Sequence, residues 1–266
     1  MTLSRRARVL LGVVTAAGLA VVYVPLIVVL VSSFNTSRTF GWPPQGFTLH
    51  WWGETLDNPG ARTALLTSVE IAAAATVLAL VLGTMAAFAV QRYRWFGRDV
   101  VSFLVVLPIA LPGIVTGIAL NAAFAAGGIP LGFLTVVVAH ATFCIVVVHN
   151  NVLARLRRLG TTLEEASADL GADTFQTFAL VTFPQLRSAL LAGGLLAFAL
   201  SFDEIVVTQF TISPGLQTLP VWIFANLFRP NQAPVVNVVA AVLVIFSILP
   251  IWASQKLSGD PAGGRL

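Results

Sequence analysis

The sequence predicts an all-α integral membrane protein with six transmembrane helices. Three observations predict it: a composition too apolar for a water-soluble surface, charge-free runs of bilayer length, and basic residues confined to alternate connecting segments. Of 266 residues, 57% are hydrophobic and 10% are charged, which leaves too few polar side chains to clothe a globule of this size in water.

A hydrocarbon core about 30 Å thick takes roughly 20 apolar residues per helix. Leu10 to Phe34 holds no charged side chain, and neither does Ile71 to Val90 beyond Glu70 near its start. Val100 to Ala154 has no Asp, Glu, Lys or Arg, and the turn signal Gly127-Gly128-Ile129-Pro130 divides it into two spans. After Arg187 an apolar stretch runs to Phe210 with Asp203 and Glu204 inside it, and Pro234 to Ser254 is again free of charge. The expected spans are 10–33, 64–90, 100–124, 131–153, 186–210 and 234–254, in one transmembrane domain over 1–266 with a polar loop at 155–185. Arg5, Arg6 and Arg8 before an apolar run resemble a secretory signal. The run continues through Val31, past the roughly 7 to 15 residues of a signal core, and so reads as an uncleaved first helix. Cys144 is the single cysteine, which excludes an intrachain disulfide and any multi-cysteine metal site.

A formal charge of +4 and a pI near 10.2 do not point to nucleic acid, because the basic residues are scattered between apolar spans rather than gathered on one face. With a cytoplasmic N-terminus, the inside segments hold Arg5, Arg6, Arg8, Arg92, Arg94, Arg98, Arg155, Arg157, Arg158, Arg187, Lys256 and Arg265, and the outside segments hold Arg38, Arg62 and Arg229. Twelve of 15 basic residues inside is the bias expected of an even number of spans with both ends in the cytoplasm.

The first outside segment, Ser33 to Arg62, carries Phe40, Trp42, Phe47, Trp51 and Trp52 beside Pro43 and Pro44. These rings suit a headgroup-depth belt, or a periplasmic lip at which rings such as Trp42 and Trp51 touch a partner protein or an incoming cation. Pro108 and Pro112 each remove a backbone donor and kink the third span. Carbonyls freed inside a membrane must be buried in protein or line a wet cavity.

The inside segment Arg155 to Arg187 is polar and patterned for helix. Thr161 or Thr162 can cap a short helix whose first turn holds Glu164 and Glu165. Leu163, Ala166 and Leu170 form one small apolar face, Gly171 ends the helix, and Pro184 opens the fifth span.

This segment resembles the cytoplasmic signature loop of ABC importer permeases: Glu-Ala-Ala, three residues, Gly, nine residues, then Ile-x-Leu-Pro. Glu165, Ala166, Ser167, Gly171, Val181, Phe183 and Pro184 occupy those positions, with Ser167, Val181 and Phe183 as modest departures. Leu107 to Leu120, His140 to Cys144 through Asn150-Asn151, and Ala192 to Thr208 extend the resemblance to permeases of spermidine and putrescine importers, and most closely to the second permease of a putrescine-type system. The resemblance implies a type I (MetI-like) fold in which the short helix is a coupling helix, with Glu164, Glu165, Ala166, Ser167, Asp169, Gly171 and Pro184 in ATPase coupling. It implies as partners an ABC ATPase dimer that holds ATP and Mg, a second related permease, and a periplasmic or lipoprotein solute-binding protein, with no cofactor on this chain.

Asp203 and Glu204 lie in or at the outer part of the fifth span, where a charge costs roughly 2.5 to 3.5 kcal/mol. Beyond Arg187 at the inner start of the fifth span, no Lys or Arg lies within a span to offset that cost. A cationic solute, a wet cavity, protonation or a partner subunit can. The candidate solute path is Ser201, Asp203, Glu204, Glu70, Trp42 and Trp51. His140 and His149, nine residues apart, fall on opposite faces of one helix and cannot share an ion, and His140 with Cys144 reads as a packed core pair. Ala192-Gly193-Gly194 lacks the ending of a phosphate loop and suits close helix packing. The competing expectations are an ABC permease for an amino-acid derivative, metal or oxyanion, and an ion-gradient-driven transporter. A membrane-embedded enzyme would need a nucleophile, base or metal cluster, and the sequence presents none.

Overall fold

A computed structural model describes residues 4–39, 41–93, 96–229 and 232–257, without the side chains of Asp99, Val101 and residues 247–257. Phe40, Arg94, Arg265 and the Lys256 side chain lie outside the described residues. In chain order the helices are α1 (Arg5–Ser32), α2 (His50–Leu56), α3 (Pro59–Arg92), α4 (Arg98–Ala110), α5 (Gly113–Ala126) and α6 (Phe133–Leu159). They continue as α7 (Thr162–Asp169), α8 (Thr174–Thr177), a π-turn (Phe178–Thr182), α9 (Phe183–Phe202), α10 (Val206–Thr211), α11 (Leu219–Asn226) and α12 (Ala233–Leu257). Among the described residues the one β feature is an isolated bridge between Asn35 and Phe47.

Among the described residues, four helical runs are long and apolar enough to cross a bilayer: α1, α3, α6 and the continuous run Thr174–Phe202. Taken together, Ser102–Ala110 of α4 and Gly113–Ala126 of α5, bent by 113°, are also long and apolar enough. The sixth expected span corresponds to α12, which is 25 residues long, with its apolar character described over Ala233–Phe246.

Two sequence expectations are corrected. Pro112 produces a break rather than a kink: its ring bars the preceding residue from helical geometry, and Leu111 is extended at φ −84°, ψ 143°. The fifth span differs at both ends. Its helix starts at Thr174, because Asp173 caps it, accepting from the Gln176 amide at 2.8 Å while the Gln176 side chain accepts from the Asp173 amide at 3.0 Å. Pro184 therefore lies within the helical run, directly after the π-turn, where the Phe183 amide bonds the carbonyl of Phe178. That wide turn accommodates a proline ring that would clash with a carbonyl four residues back in a regular helix. The helix then stops at Phe202, so Asp203 and Glu204 stand in a break and not within a span.

The chain forms two compact units, Met1–Arg62 with Ile223–Leu266, and Thr63–Trp222. In the first, α12 packs against α1 and α2. The segment before α2 is organised by Asn35, whose Oδ1 accepts from the amides of Ser37 and Gln45. The Asn35 carbonyl accepts from Trp51 Nε1 at 2.9 Å.

In the second unit α6 is the central rod. Its Cys144, Val148, Val152 and Leu156 are buried against Ala79, Ala87 and Val90 of α3 and against Leu186 and Ala197 of α9. Lipid tails are as apolar as leucine, so helices in a membrane hold together by close fit, which small residues permit. A Cβ at Gly83 of α3 would lie 2.9 Å from the Ile145 carbonyl oxygen and 3.0 Å from Val148 Cβ. On α9, one at Gly193 would lie 3.3 Å from Val148 Cα, and one at Gly194 would touch Leu80 at 3.4 Å. The glycine pair of α9 thus serves helix packing, as its sequence context suggests.

Gly83→Ala should lower stability in detergent by about 1–3 kcal/mol, because backbone must move to admit the methyl group. Gly18→Ala, with nothing within 4 Å of its Cβ position, is the control. Equal thermal unfolding midpoints for the two variants would refute the close α3–α6 contact.

Candidate functional site

Two places in the second unit bring polar chemistry together: the short helix α7, and a pair of helix breaks between α4 and α5 and between α9 and α10.

Helix α7 is eight residues long and none of them is buried. Gly160 before it and Gly171 after it both have positive φ, 65° and 86°. Its C-terminus is closed by two bonds, from the Gly171 amide to the Ala168 carbonyl at 2.9 Å and from the Ala172 amide to the Ser167 carbonyl at 3.1 Å. This double closure requires a left-handed residue, which glycine adopts without cost. The expected threonine cap is corrected. Thr161 precedes the helix, but in an αR conformation its hydroxyl makes no capping bond, so Glu164 and Glu165 in the first turn are left to complement the positive helix end.

The expected apolar face is present and uncovered: Leu163 is 54% exposed and Leu170 is 90% exposed. Ala166, Glu165 and Asp169 are exposed beside it. Ser167, a departure from the family pattern, places its hydroxyl 3.0 Å from that of Thr177 and so ties α7 to α8. Glu164 is half-buried and turned to the bundle, whereas Glu165 is exposed. Glu164 Oε1 accepts from Arg92 Nη2 at 2.9 Å and from the Thr182 hydroxyl at 2.9 Å. Phe88, one turn before Arg92 on α3, meets Phe178 edge-on at 5.8 Å, and Phe178 in turn meets Phe183 at 6.2 Å. Arg155 at the end of α6 donates to the Gln185 carbonyl at 2.9 Å. Arg92, Thr182 and Phe178 were not singled out by sequence reasoning. Arg92 looked like one topological charge among many, and its partner lies 72 residues away.

At the second place, α10 is a six-residue helix whose two ends are both satisfied by side chains. Glu204 Oε1 accepts from the Val207 amide at 2.8 Å, and the Thr208 hydroxyl donates to the Glu204 carbonyl at 2.8 Å. At its far end, Asn121 Nδ2 of α5 donates to the Phe210 carbonyl at 2.6 Å, and the Thr135 hydroxyl of α6 lies 2.7 Å from the Thr211 carbonyl. His140 of α6 is fully buried and spans the break, with Nδ1 2.7 Å from Ser201 Oγ and Nε2 2.8 Å from Thr208 Oγ1. The Thr208 hydroxyl hydrogen is directed to Glu204, so Thr208 Oγ1 accepts from the imidazole, and Ser201 can donate to the other nitrogen. Cys144, one turn along α6, donates to the Ala197 carbonyl at 3.3 Å. The expected core pair is therefore packed, but the histidine is a polar staple rather than filler.

Helix α5 lies along α10. A Cβ at Gly113 would sit 3.6 Å from Val206, and one at Gly117 would fall 2.6 Å from the Phe210 ring. The break at Pro112 and the break at residues 203–205 are thereby adjacent. Asp203 is exposed there, Glu204 is half-buried, and Ser201 is buried and engaged with His140. Broken helices at membrane depth that line a cavity are the usual architecture of solute sites.

The other predicted residues lie elsewhere. Glu70 is exposed on α3. Trp42 is 62% exposed. Trp51 is 6% exposed, with its N–H on Asn35 and the Arg38 guanidinium 5.8 Å from its ring centre. A cation already occupies that ring face.

Residues 79–257 match the family model described as binding-protein-dependent transport system inner membrane component. Over 258 residues the chain is 34% identical to the spermidine/putrescine transport system permease protein PotC of Escherichia coli (strain K12), covering 97% of each chain. It is 34% identical over 240 residues to the putrescine transport system permease protein PotI of the same organism, covering 87% of this chain and 84% of that one. Identity is 31% over 263 residues to a putative 2-aminoethylphosphonate transport system permease protein, PhnV, of Salmonella choleraesuis, with coverage of 95% and 98%. Among solved structures, a bacterial ABC transporter involved in import of the acidic polysaccharide alginate has a chain that superposes with a TM-score of 0.69 at 18% identity, covering 97% of this chain and 98% of that one. With its apolar helices, uncovered α7 and paired breaks, the chain belongs to the binding-protein-dependent transport system inner membrane components, and is a multi-pass transport subunit of the inner membrane.

Proposed function

We propose that the chain is the solute-conducting permease subunit of an ATP-driven importer for small polycations of the putrescine and spermidine class. It works beside a second, related permease, on a pair of ATPase subunits that hold ATP and Mg, and receives solute from a binding protein. Both termini and α7 face the cytosol, a reading supported by the twelve-to-three distribution of basic residues read from the sequence.

The observation that carries the proposal is α7: a short helix, closed at its C-terminus, that with the following residue exposes Leu163 and Leu170 and whose apolar face nothing among the described residues covers. The sequence has no phosphate-binding loop with which to hydrolyse ATP itself. Work done on α7 by the ATPases moves the helices behind it and alternates the access of the path. At the paired breaks, Asp203 and Glu204 offer ammonium groups charge-assisted hydrogen bonds, and the names of the spermidine and putrescine relatives favour that solute class. The aminoethylphosphonate relative supports a second reading, a zwitterionic solute, and the acidic pair favours the polycation.

Leu170→Asp should weaken ATPase copurification by about 2 kcal/mol, roughly thirtyfold, as expected for the centre of an interface. Gly171→Leu, forced to positive φ, should weaken it too while the chain still inserts. Undiminished ATPase binding by both variants, or uptake by the chain without nucleotide, would defeat the assignment.

Glu204→Gln retains an oxygen to cap α10 but loses the charge, and Asp203→Asn is its exposed counterpart. Together they should raise the KM for putrescine import roughly tenfold or more, since a hydrogen bond to a charged group contributes about 1.5–3 kcal/mol. An unchanged KM in proteoliposomes carrying the complete complex would place the cation site elsewhere.

A further inference from the structure

We infer that Arg92, Glu164 and Thr182 form a clasp that carries load from α7 to α3 and α9, so that solute import, and not ATPase attachment, depends on Glu164. This rests on the reading of α7 as the ATPase-facing helix.

Adjacent residues on a helix point about 100° apart, and the two glutamates of the first turn have parted accordingly. Glu165 is exposed. Glu164 is turned to the bundle, where one carboxylate oxygen accepts both the Arg92 guanidinium and the Thr182 hydroxyl at 2.9 Å each. The ion pair is sheltered, with side chains 12% and 25% exposed, and Thr182 is 3% exposed. Solvent screening is therefore weaker than for a surface pair.

The clasp matters because α7 is held by few side-chain bonds among the described residues. It buries no residue of its own, and its flanking glycines, at φ 65° and 86°, turn the chain away at both ends of the eight-residue helix. One hydroxyl pair, Ser167 with Thr177, ties it to α8. Among the described residues, the side-chain bonds that carry α7 to the long helices are those of the clasp. Arg92 ends α3, whose Ala79, Ala87 and Val90 are buried in the core against α6 and α9. Thr182 ends the π-turn through which α9 is entered. A π-turn is a single widened turn, often found at functional positions. The Phe88, Phe178 and Phe183 rings bridge the same two elements beside it. A push on α7 thus reaches two core helices through one carboxylate.

The test is made in proteoliposomes holding the complete importer, with ATP hydrolysis, putrescine uptake and subunit ratio measured on the same sample. Arg92→Glu and Glu164→Arg should each retain the ATPase at the unmodified ratio and hydrolyse ATP, while putrescine imported per ATP falls at least about fivefold, within the usual range of coupling between contacting residues. The double exchange, which restores an ion pair of reversed polarity, should recover at least half of that ratio. Thr182→Val, which preserves volume and removes one bond, should lower the ratio about twofold or more, and it serves if a charge exchange fails to insert.

Single variants that import at the unmodified ratio, or a double exchange no better than the singles, would overturn the inference. So would loss of the ATPase from the Glu164 variant, which would put that carboxylate in the docking surface. Absence of any ATPase from the unmodified complex would instead sink the reading of α7 itself.

Discussion

Every backbone N–H and C=O within the hydrocarbon must find its partner inside the protein, because no water is there to supply one. Long helices meet this demand automatically, which is why α1, α3, α6 and the run Thr174–Phe202 account for most of the apolar sequence. The demand becomes informative where a helix stops. Beyond the break at residues 203–205, the free backbone groups of α10 are met by Glu204 at the Val207 amide and by Asn121 and Thr135 at the Phe210 and Thr211 carbonyls. Breaking a helix in this setting takes several polar side chains from three elements, and such an arrangement presents carboxylates in an otherwise apolar region.

The same constraint gives His140 its place. A buried imidazole with one unpaired nitrogen would cost about 1–3 kcal/mol. Bonded to Ser201 and Thr208, it spans the break and holds the end of α9 in register with the start of α10. Cys144 and the Gly83 contact lie farther along the same helix, so α6 fixes the break at one point and the packing of α3 and α9 at another. One rod thus relates the paired breaks to the α7 end of the unit.

Much of the candidate site was legible in residue type and spacing. The acidic first turn of α7, its apolar face, the glycine stop and the apolar spans all follow from periodicity and from the conformational freedom of glycine. The carboxylate pair stood out because charge is costly in a span. Pro112 announced a disturbance, and the structure converts it from a kink to a 113° reversal. Less legible were the positions where local signals compete. Pro184 looks like a helix start, yet the Asp173–Gln176 capping box begins the helix ten residues earlier, and a widened turn absorbs the proline.

The sequence by itself determined that the chain lives in a membrane, where most of its helices run and which loop stands out for a partner, because these depend on hydropathy and on contacts within a few residues. Tertiary structure alone decided that Glu164 and Glu165 serve different faces, that Trp51 is occupied by Arg38, and that two breaks lie side by side. Those outcomes depend on pairings such as Arg92 with Glu164 and His140 with Thr208, 72 and 68 residues apart. No local pattern encodes such pairings; they exist only once close packing of α3, α6 and α9 has brought the partners within hydrogen-bond reach.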